Sequence, residues 1–203
     1  MSYKPHDFYF KKAKSENYLA RSVYKLKEIN ERFKIFRKGQ RVLDLGAAPG
    51  SWSQYAAQEV GNSGYVLGID LKPINLQLPN AQFVQADIFS PGLENICLKF
   101  SIPSSFDVVI SDMAPQTTGM TLTDHVRSVE LCYRALQLAQ GSLKKGGTFV
   151  CKMLDGEDFN EFRDSLRPNF EKVQILRPKS TRKESKELFF IALGYLQTTS
   201  NHF

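Results

Sequence analysis

Leu19, Val23, Leu26, Ile29 and Phe33 recur at three- and four-residue spacing through "ENYLARSVYKLKEINERFKIF" (16–36), with polar and basic residues between them. That period predicts a helix over 16–36 with a single apolar stripe. From Arg41 the texture changes to short β-branched runs of strand length: "RVLDL" (41–45), "GYVLGID" (64–70), "AQFVQAD" (81–87), "FDVVISD" (106–112) and "GTFVCKM" (147–153). Helical stretches near 51–60 and 122–143 lie between them. Alternating β and α units predict a mainly parallel sheet with helices on both faces. "FEKVQILRP" (170–178) and "KELFFIALGYL" (186–196) are joined by a loop too short for a crossover helix, so they are expected to pair antiparallel. No repeat, low-complexity tract or linker breaks the pattern. The expectation is one domain over 1–203, with a basic helical extension (1–40) and an α/β core (41–203).

Composition narrows the class. A chain of 203 residues, 42% hydrophobic and 24% charged, is an ordinary globular protein with room for one core. No apolar run approaches the roughly 18 residues of a membrane span, and "MSYKPHDFYFKKAK" lacks a signal-peptide core. A cytoplasmic protein with no membrane partner is expected. Cys97, Cys132 and Cys151 are widely spaced with no CxxC pair, and His6, His125 and His202 lie far apart, so neither a disulfide framework nor a metal site is expected. The charge is concentrated at the front: residues 1–41 hold 12 Lys/Arg against 4 Asp/Glu, while the remainder is nearly neutral. "RPKSTRKESKE" (177–187) is a second basic cluster. Two basic segments flanking a neutral body suit a polyanion such as RNA or DNA. A solvated helix face and a basic loop are the plainer alternative.

"DLGAAPGSWSQYA" (44–56) leaves the first predicted strand through two glycines and a proline and enters a helix. In an open α/β sheet, ligands lie beyond the carboxyl ends of the strands where strand order reverses. Gly46 and Gly50 let the backbone turn sharply and approach a ligand, and the helix start offers free N–H groups. The turn reads G-A-A-P-G and not G-x-G-x-x-G, which argues against a dinucleotide. Asp70 closes the second strand where a carboxylate can accept hydrogen bonds from ribose hydroxyls. With Asp44, Asp87 and Asp112 it makes four acids at successive strand ends, which points to an adenosyl ligand without a pyrophosphate. S-adenosylmethionine fits, offering two ribose hydroxyls and cations for the acids.

With "RSVYKL" (21–26), "DLGAAPGSWSQY" (44–55), "GIDL" (68–71), "SDMAP" (111–115), "FVCKM" (149–153) and "SKELFF" (185–190) in this order, nearly the whole chain resembles the FtsJ-like ribose 2′-O-methyltransferases. The resemblance implies a Rossmann-like class I S-adenosylmethionine-dependent methyltransferase: a mainly parallel seven-stranded sheet with an antiparallel C-terminal strand. It implies cofactor binding by Gly50, Trp52, Asp70, Asp87 and Asp112, added to Asp44 and Gly46 of the turn. It also implies a catalytic tetrad of Lys25, Asp112, Lys152 and Glu187.

Those residue types suit the chemistry. Methyl transfer to a ribose hydroxyl needs the oxygen aligned behind the sulfonium methyl and a group to receive its proton; no metal is required. A lysine base working near neutrality must have its ammonium disfavoured by about 4 kcal/mol relative to water. Burial, a second lysine and the sulfonium all act in that direction, while carboxylates oppose them. Lys152, in an apolar strand on the face of Thr148 and Val150, is the better candidate base. Lys25 could equally position the ribose or a phosphate, with Asp112 and Glu187 orienting the lysines and the hydroxyl. For Trp52, simple packing under a sheet-covering helix is the alternative.

The front of the chain interleaves Tyr3, Phe8, Tyr9, Phe10 and Tyr18 with Lys4, Lys11, Lys12, Lys14 and Arg21, a mixture suited to phosphate contact and base stacking. Lys11, Lys12, Lys14, Arg21, Arg182 and Lys183 are the expected RNA contacts. The expected substrate is RNA, since DNA lacks the 2′-hydroxyl. The bacterial branch acting on a uridine of 23S rRNA in the large ribosomal subunit fits the compact length, with the enzyme working as a monomer. Archaeal or mitochondrial rRNA relatives, the tRNA branch and an idle ribosome-assembly factor are the other readings.

Overall fold

The computed structural model describes residues 5–90, 93–99, 104–115, 121–181 and 185–197. Two helices, α1 (Pro5–Ser15) and α2 (Val23–Phe33), precede β1 (Arg41–Leu45), α3 (Ser51–Val60), β2 (Tyr65–Asp70), β3 (Ala81–Gln85), α4 (Leu93–Lys99) and β4 (Phe106–Ser111). Then come α5 (Thr121–Ser142), β5 (Leu143–Leu154), α6 (Phe159–Leu166), β6 (Phe170–Leu176) and β7 (Glu187–Tyr195).

The seven strands form one sheet in the order β3-β2-β1-β4-β5-β7-β6. Pairings from β3 through β5 are parallel, and β7 runs antiparallel to both of its neighbours, β5 and β6. This is the expected Rossmann-like class I arrangement, and β6 and β7 pair as the short connection required. Strand order reverses at β1, which lies between β2 and β4, so the crevice beyond the carboxyl ends of β1 and β4 is the place the topology reserves for a ligand.

Side chains alternate across the sheet and build two cores. Val42, Val108, Ile110, Val150, Phe189 and Ile191 face one side, with Leu26 and Ile29 of α2 and Trp52 and Ala56 of α3 packed against them. Leu43, Leu45, Val109, Phe149, Cys151 and Met153 face the other, under Ala135 and Ala139 of α5 and Phe162 and Leu166 of α6. Truncating one of these fully enclosed aliphatics to Ala would cost about 2–5 kcal/mol.

The single helix expected over 16–36 is a correction. Asn17 sits at φ 59°, in the left-handed region that Asn tolerates, and the Tyr18 N–H closes back on the Ala13 carbonyl at 2.8 Å, ending α1. α2 starts only at Val23, and Leu19, counted in the apolar stripe, is exposed in the connecting turn. The break lets α1 fold onto α2 through buried Ala13 and the Tyr9 ring, which lies 5.3 Å from that of Tyr24. Helices α4 and α6 were not expected; at 7 and 8 residues they are shorter than the window in which helical periodicity shows. Among the described residues no helix is long and apolar enough to cross a membrane.

Candidate active site

Two cavities open at the carboxyl edge of the sheet, and the four candidate catalytic residues lie between them. The first, about 430 Å³, sits in the switch-point crevice and is lined by Gly46, Ala48, Asp70, Asp87, Asp112 and Met113, among others. Gly46 adopts φ 76°, and a Cβ there would lie 2.4 Å from the Met113 Cγ. Only glycine fits that conformation and that approach. Asp70 braces the turn from the next strand: its Oδ2 accepts the Ala48 N–H at 3.0 Å and its Oδ1 the Lys72 N–H at 2.8 Å. Asp87 accepts the Phe89 N–H at 2.9 Å. Both acids still line the cavity wall.

Asp44, Gly50 and Trp52, also expected at the cofactor, belong to β1, the turn and α3 next to Gly46 and Ala48 of that wall. Asp44 is fully enclosed and accepts from the Ser53 hydroxyl at 2.6 Å and from its backbone N–H. Part of the positive end of α3 is thus answered from within the protein. Burial pushes the Asp44 carboxyl up to about 7; the Ser53 bonds oppose the rise, and the charges of Asp112 and Asp70 add to it. Gly50 caps α3 at φ 114° and abuts Leu76 and Leu19. Trp52 packs against Phe189, ring centroids 5.7 Å apart, and its indole donates to the Ser22 carbonyl at 3.0 Å. The Trp52 link fixes the start of α2, three residues before Lys25.

The register of β4 on β5 ends at Ser111 opposite Cys151, so Asp112 and Lys152 follow side by side. The Lys152 Nζ donates to the Asp112 main-chain oxygen at 2.7 Å and lies 3.0 Å from its Oδ1. Lys152 is 6% exposed, on the face predicted from alternation. Across β5, β7 begins at Glu187, opposite Leu154, and Lys152 stands opposite Phe189, so Glu187 shares the face of Lys152. Lys25, in the first turn of α2, donates to Glu187 Oε2. Burial pushes the Glu187 carboxyl up, but the Lys25 charge and hydrogen bond, with the Lys152 charge, outweigh it and hold Glu187 below its ordinary range. The four side chains therefore form one cluster of alternating charge. Chain segments more than a hundred residues apart in sequence are brought together by strand register and by the packing of α2.

The second cavity, about 340 Å³, lies on the Lys25–Glu187 side and is lined by Arg21, Ser22, Lys25, Ser185 and Glu187. Ser22 and Ser185 were not singled out in the sequence, although both stand inside the quoted motifs "RSVYKL" and "SKELFF". Met113 was also missed, and only its place in "SDMAP" marked it. Arg21 donates to the Ser180 carbonyl at 2.8 Å, tying the β6–β7 loop to α2. Lys11, Lys12 and Lys14 lie along α1. Arg182 and Lys183 lie outside the described residues. Among the described residues, no group of three or more His, Cys, Asp or Glu is placed to hold a metal ion.

With this geometry in place, comparison with known proteins is specific. The family model for FtsJ-like methyltransferases matches residues 18–195. A Bdellovibrio bacteriovorus protein named ribosomal RNA large subunit methyltransferase E is 53% identical over 194 residues, covering 96% of this chain and 99% of that one. A protein of the same name from Lawsonia intracellularis is 48% identical over 202 residues, covering 98% and 100%. Among solved structures, a Plasmodium falciparum protein described as a ribosomal RNA methyltransferase superposes with a TM-score of 0.79 at 28% identity, covering 88% of this chain and 99% of that one.

Proposed function

Because the chain belongs to the FtsJ-like methyltransferase family, we propose that it transfers the methyl group of S-adenosylmethionine to a ribose 2′-oxygen, on a uridine of 23S rRNA in the large ribosomal subunit. One methyltransferase domain over 1–203 does the chemistry in the cytoplasm; its α/β core (41–203) carries Asp112, Lys152 and Glu187, and its basic helical extension (1–40) holds the RNA and supplies Lys25. The observation that carries this reading is the position of the tetrad: Asp112 lines one cavity, Lys25 and Glu187 line the other, and Lys152 contacts Asp112 between them. A donor on the first side and an acceptor on the second meet at Lys152.

The first cavity suits a cationic adenosyl ligand. Asp70, Asp87 and Asp112 face it, and a positive charge placed among them would offset the Asp112 and Asp70 repulsion that adds to the burial-driven rise of Asp44. Bound there, S-adenosylmethionine would supply an electrophilic methyl group. Gly46, Asp70, Asp87 and Asp112 would hold it, and Asp44, Gly50 and Trp52 shape the turn.

Lys152 is the general base. A neutral amine has two N–H groups and one lone pair; one N–H goes to the Asp112 main-chain oxygen, and the Asp112 carboxylate stands 3.0 Å away as an ionic neighbour. The main-chain bond orients the amine, whose lone pair would take the ribose hydroxyl proton. Glu187, kept ionised, fixes the Lys25 ammonium beside the second cavity, where it can bind the ribose or its phosphate. To test this, large-subunit RNA is incubated with the enzyme and S-adenosylmethionine, and its nucleosides are separated after digestion. A 2′-O-methylnucleoside is expected; a base-methylated nucleoside would refute the assigned chemistry.

A further inference from the structure

Phe8 and Phe10 on α1 are 49% and 57% exposed, Phe8 meeting the Tyr9 ring edge-to-face at 5.4 Å and keeping its outer side open. The other described aromatics of this segment are occupied: Tyr9 packs on Tyr24, and Tyr18 donates to Gln58 at 2.7 Å beneath the Lys27 ammonium. Tyr9 and buried Ala13, one turn apart, fix the inward face of α1 and turn Phe8 and Phe10 away from it. Each exposed ring has a lysine one turn on, Lys11 for Phe8 and Lys14 for Phe10, while the Lys12 ammonium lies 4.9 Å over the Tyr24 ring. The helix adjoins the second cavity, because Arg21 of its wall lies 5.9 Å from the Tyr9 ring centroid. Resting on the RNA reading above, we propose that Phe8 and Phe10 are stacking platforms for unpaired bases flanking the target ribose, with the α1 lysines taking the adjacent phosphates. Aromatic faces interleaved with cations are the usual means of holding single-stranded RNA. The excess of 12 Lys/Arg over 4 Asp/Glu in residues 1–41 favours a polyanion over a protein.

Trp52 is the one tryptophan in the chain and is buried, so Phe8→Trp and Phe10→Trp each add a surface reporter. Single-stranded large-subunit RNA should quench their emission, and duplex RNA of equal length should do so less. Phe8→Ala and Phe10→Ala should each raise KM for RNA roughly tenfold with kcat and the salt slope unchanged. Absence of quenching in Trp variants that still methylate large subunits would overturn the proposal while sparing the RNA reading, whose own failure would show as no transfer by the unsubstituted protein. Quenching by assembled subunits but not by naked RNA would assign the patch to a ribosomal protein, and so overturn it too.

The strand end that carries Lys152 is held on one side by a helix in place of a strand. β4 stops at Ser111 opposite Cys151, whereas β7 continues to pair as far as Leu154. Along the vacated edge, Cys132 of α5 donates its thiol to the Lys152 carbonyl at 3.2 Å, and the Leu154 N–H donates to Ser128 Oγ at 3.2 Å. Ser128 and Cys132, four residues apart, share one face of α5. Cys151 Sγ approaches the same carbonyl at 3.5 Å. We infer that Ser128 and Cys132 are positioning residues that act through Lys152, taking the place of the missing β4 partner.

Cys132→Ala should lower kcat roughly fivefold, the worth of one neutral hydrogen bond, with both KM values unchanged. Cys132→Ser, whose hydroxyl can donate to the same carbonyl, should restore most of the loss. An unchanged kcat in Cys132→Ala, or a serine variant no better than alanine, would overturn the inference.

Discussion

Asp44 should make the protein less stable as pH rises, and Asn in its place should remove that dependence. The unfolded chain releases the Asp44 proton near the usual 3.8, and the folded chain near 7, chiefly because the carboxyl is buried. Between those values the folded state binds the extra proton. The stability this group confers is therefore complete below 3.8 and is lost as pH climbs through 7. The full shift corresponds to roughly 4 kcal/mol. Asn keeps an oxygen to accept from Ser53 and cannot ionise. In urea titrations, the stability of Asp44→Asn relative to the native chain should rise by about 2–3 kcal/mol from pH 5 to pH 8, with most of the rise below pH 7. A difference that stays flat across that range would show that Asp44 does not carry its burial cost as charge, and would refute the reasoning.

Other outcomes follow from single contacts. Gly46→Ala places a Cβ against Met113 at φ 76° and should abolish S-adenosylmethionine binding in calorimetry while RNA binding persists. Lys152→Ala should cut turnover at least about a hundredfold, as expected for loss of a general base, and leave cofactor affinity near normal; unchanged turnover would remove Lys152 from the base role. Replacing Lys11, Lys12 and Lys14 together by Ala should make the slope of log K against log salt shallower by about 2, and an unaltered slope would take α1 off the phosphate path.

Regular periodicities were easy to read in the sequence, and chain reversals were not. The strands from Arg41 to Tyr195 and helices α3 and α5 fell where alternation and apolar stripes put them, because each buries a face along its length. The break at Asn17 was hidden, since one left-handed residue leaves the three- and four-residue spacing of Leu19 and Val23 intact. Lys152 stood out as a lysine in an apolar strand, and its partner Asp112 as an acid at a strand end. Their approach depends on the register of β4 against β5, which no local pattern specifies. Lys25 and Glu187, 162 residues apart, were linked only by the family motifs. Asp44 read as a ligand contact from its strand end, and Trp52 from the family motif. The burial of both side chains is a property of the packed fold that no local pattern shows.

The most direct test of the whole account is tritium transfer from methyl-labelled S-adenosylmethionine to large subunits, small subunits and bulk tRNA purified from cells lacking this protein, with nuclease digestion to locate the label. The account predicts a labelled 2′-O-methyluridine in the large-subunit RNA. Label on tRNA would keep the chemistry and contradict the substrate, and no label on any of the three would contradict the central claim that this chain is an active RNA methyltransferase.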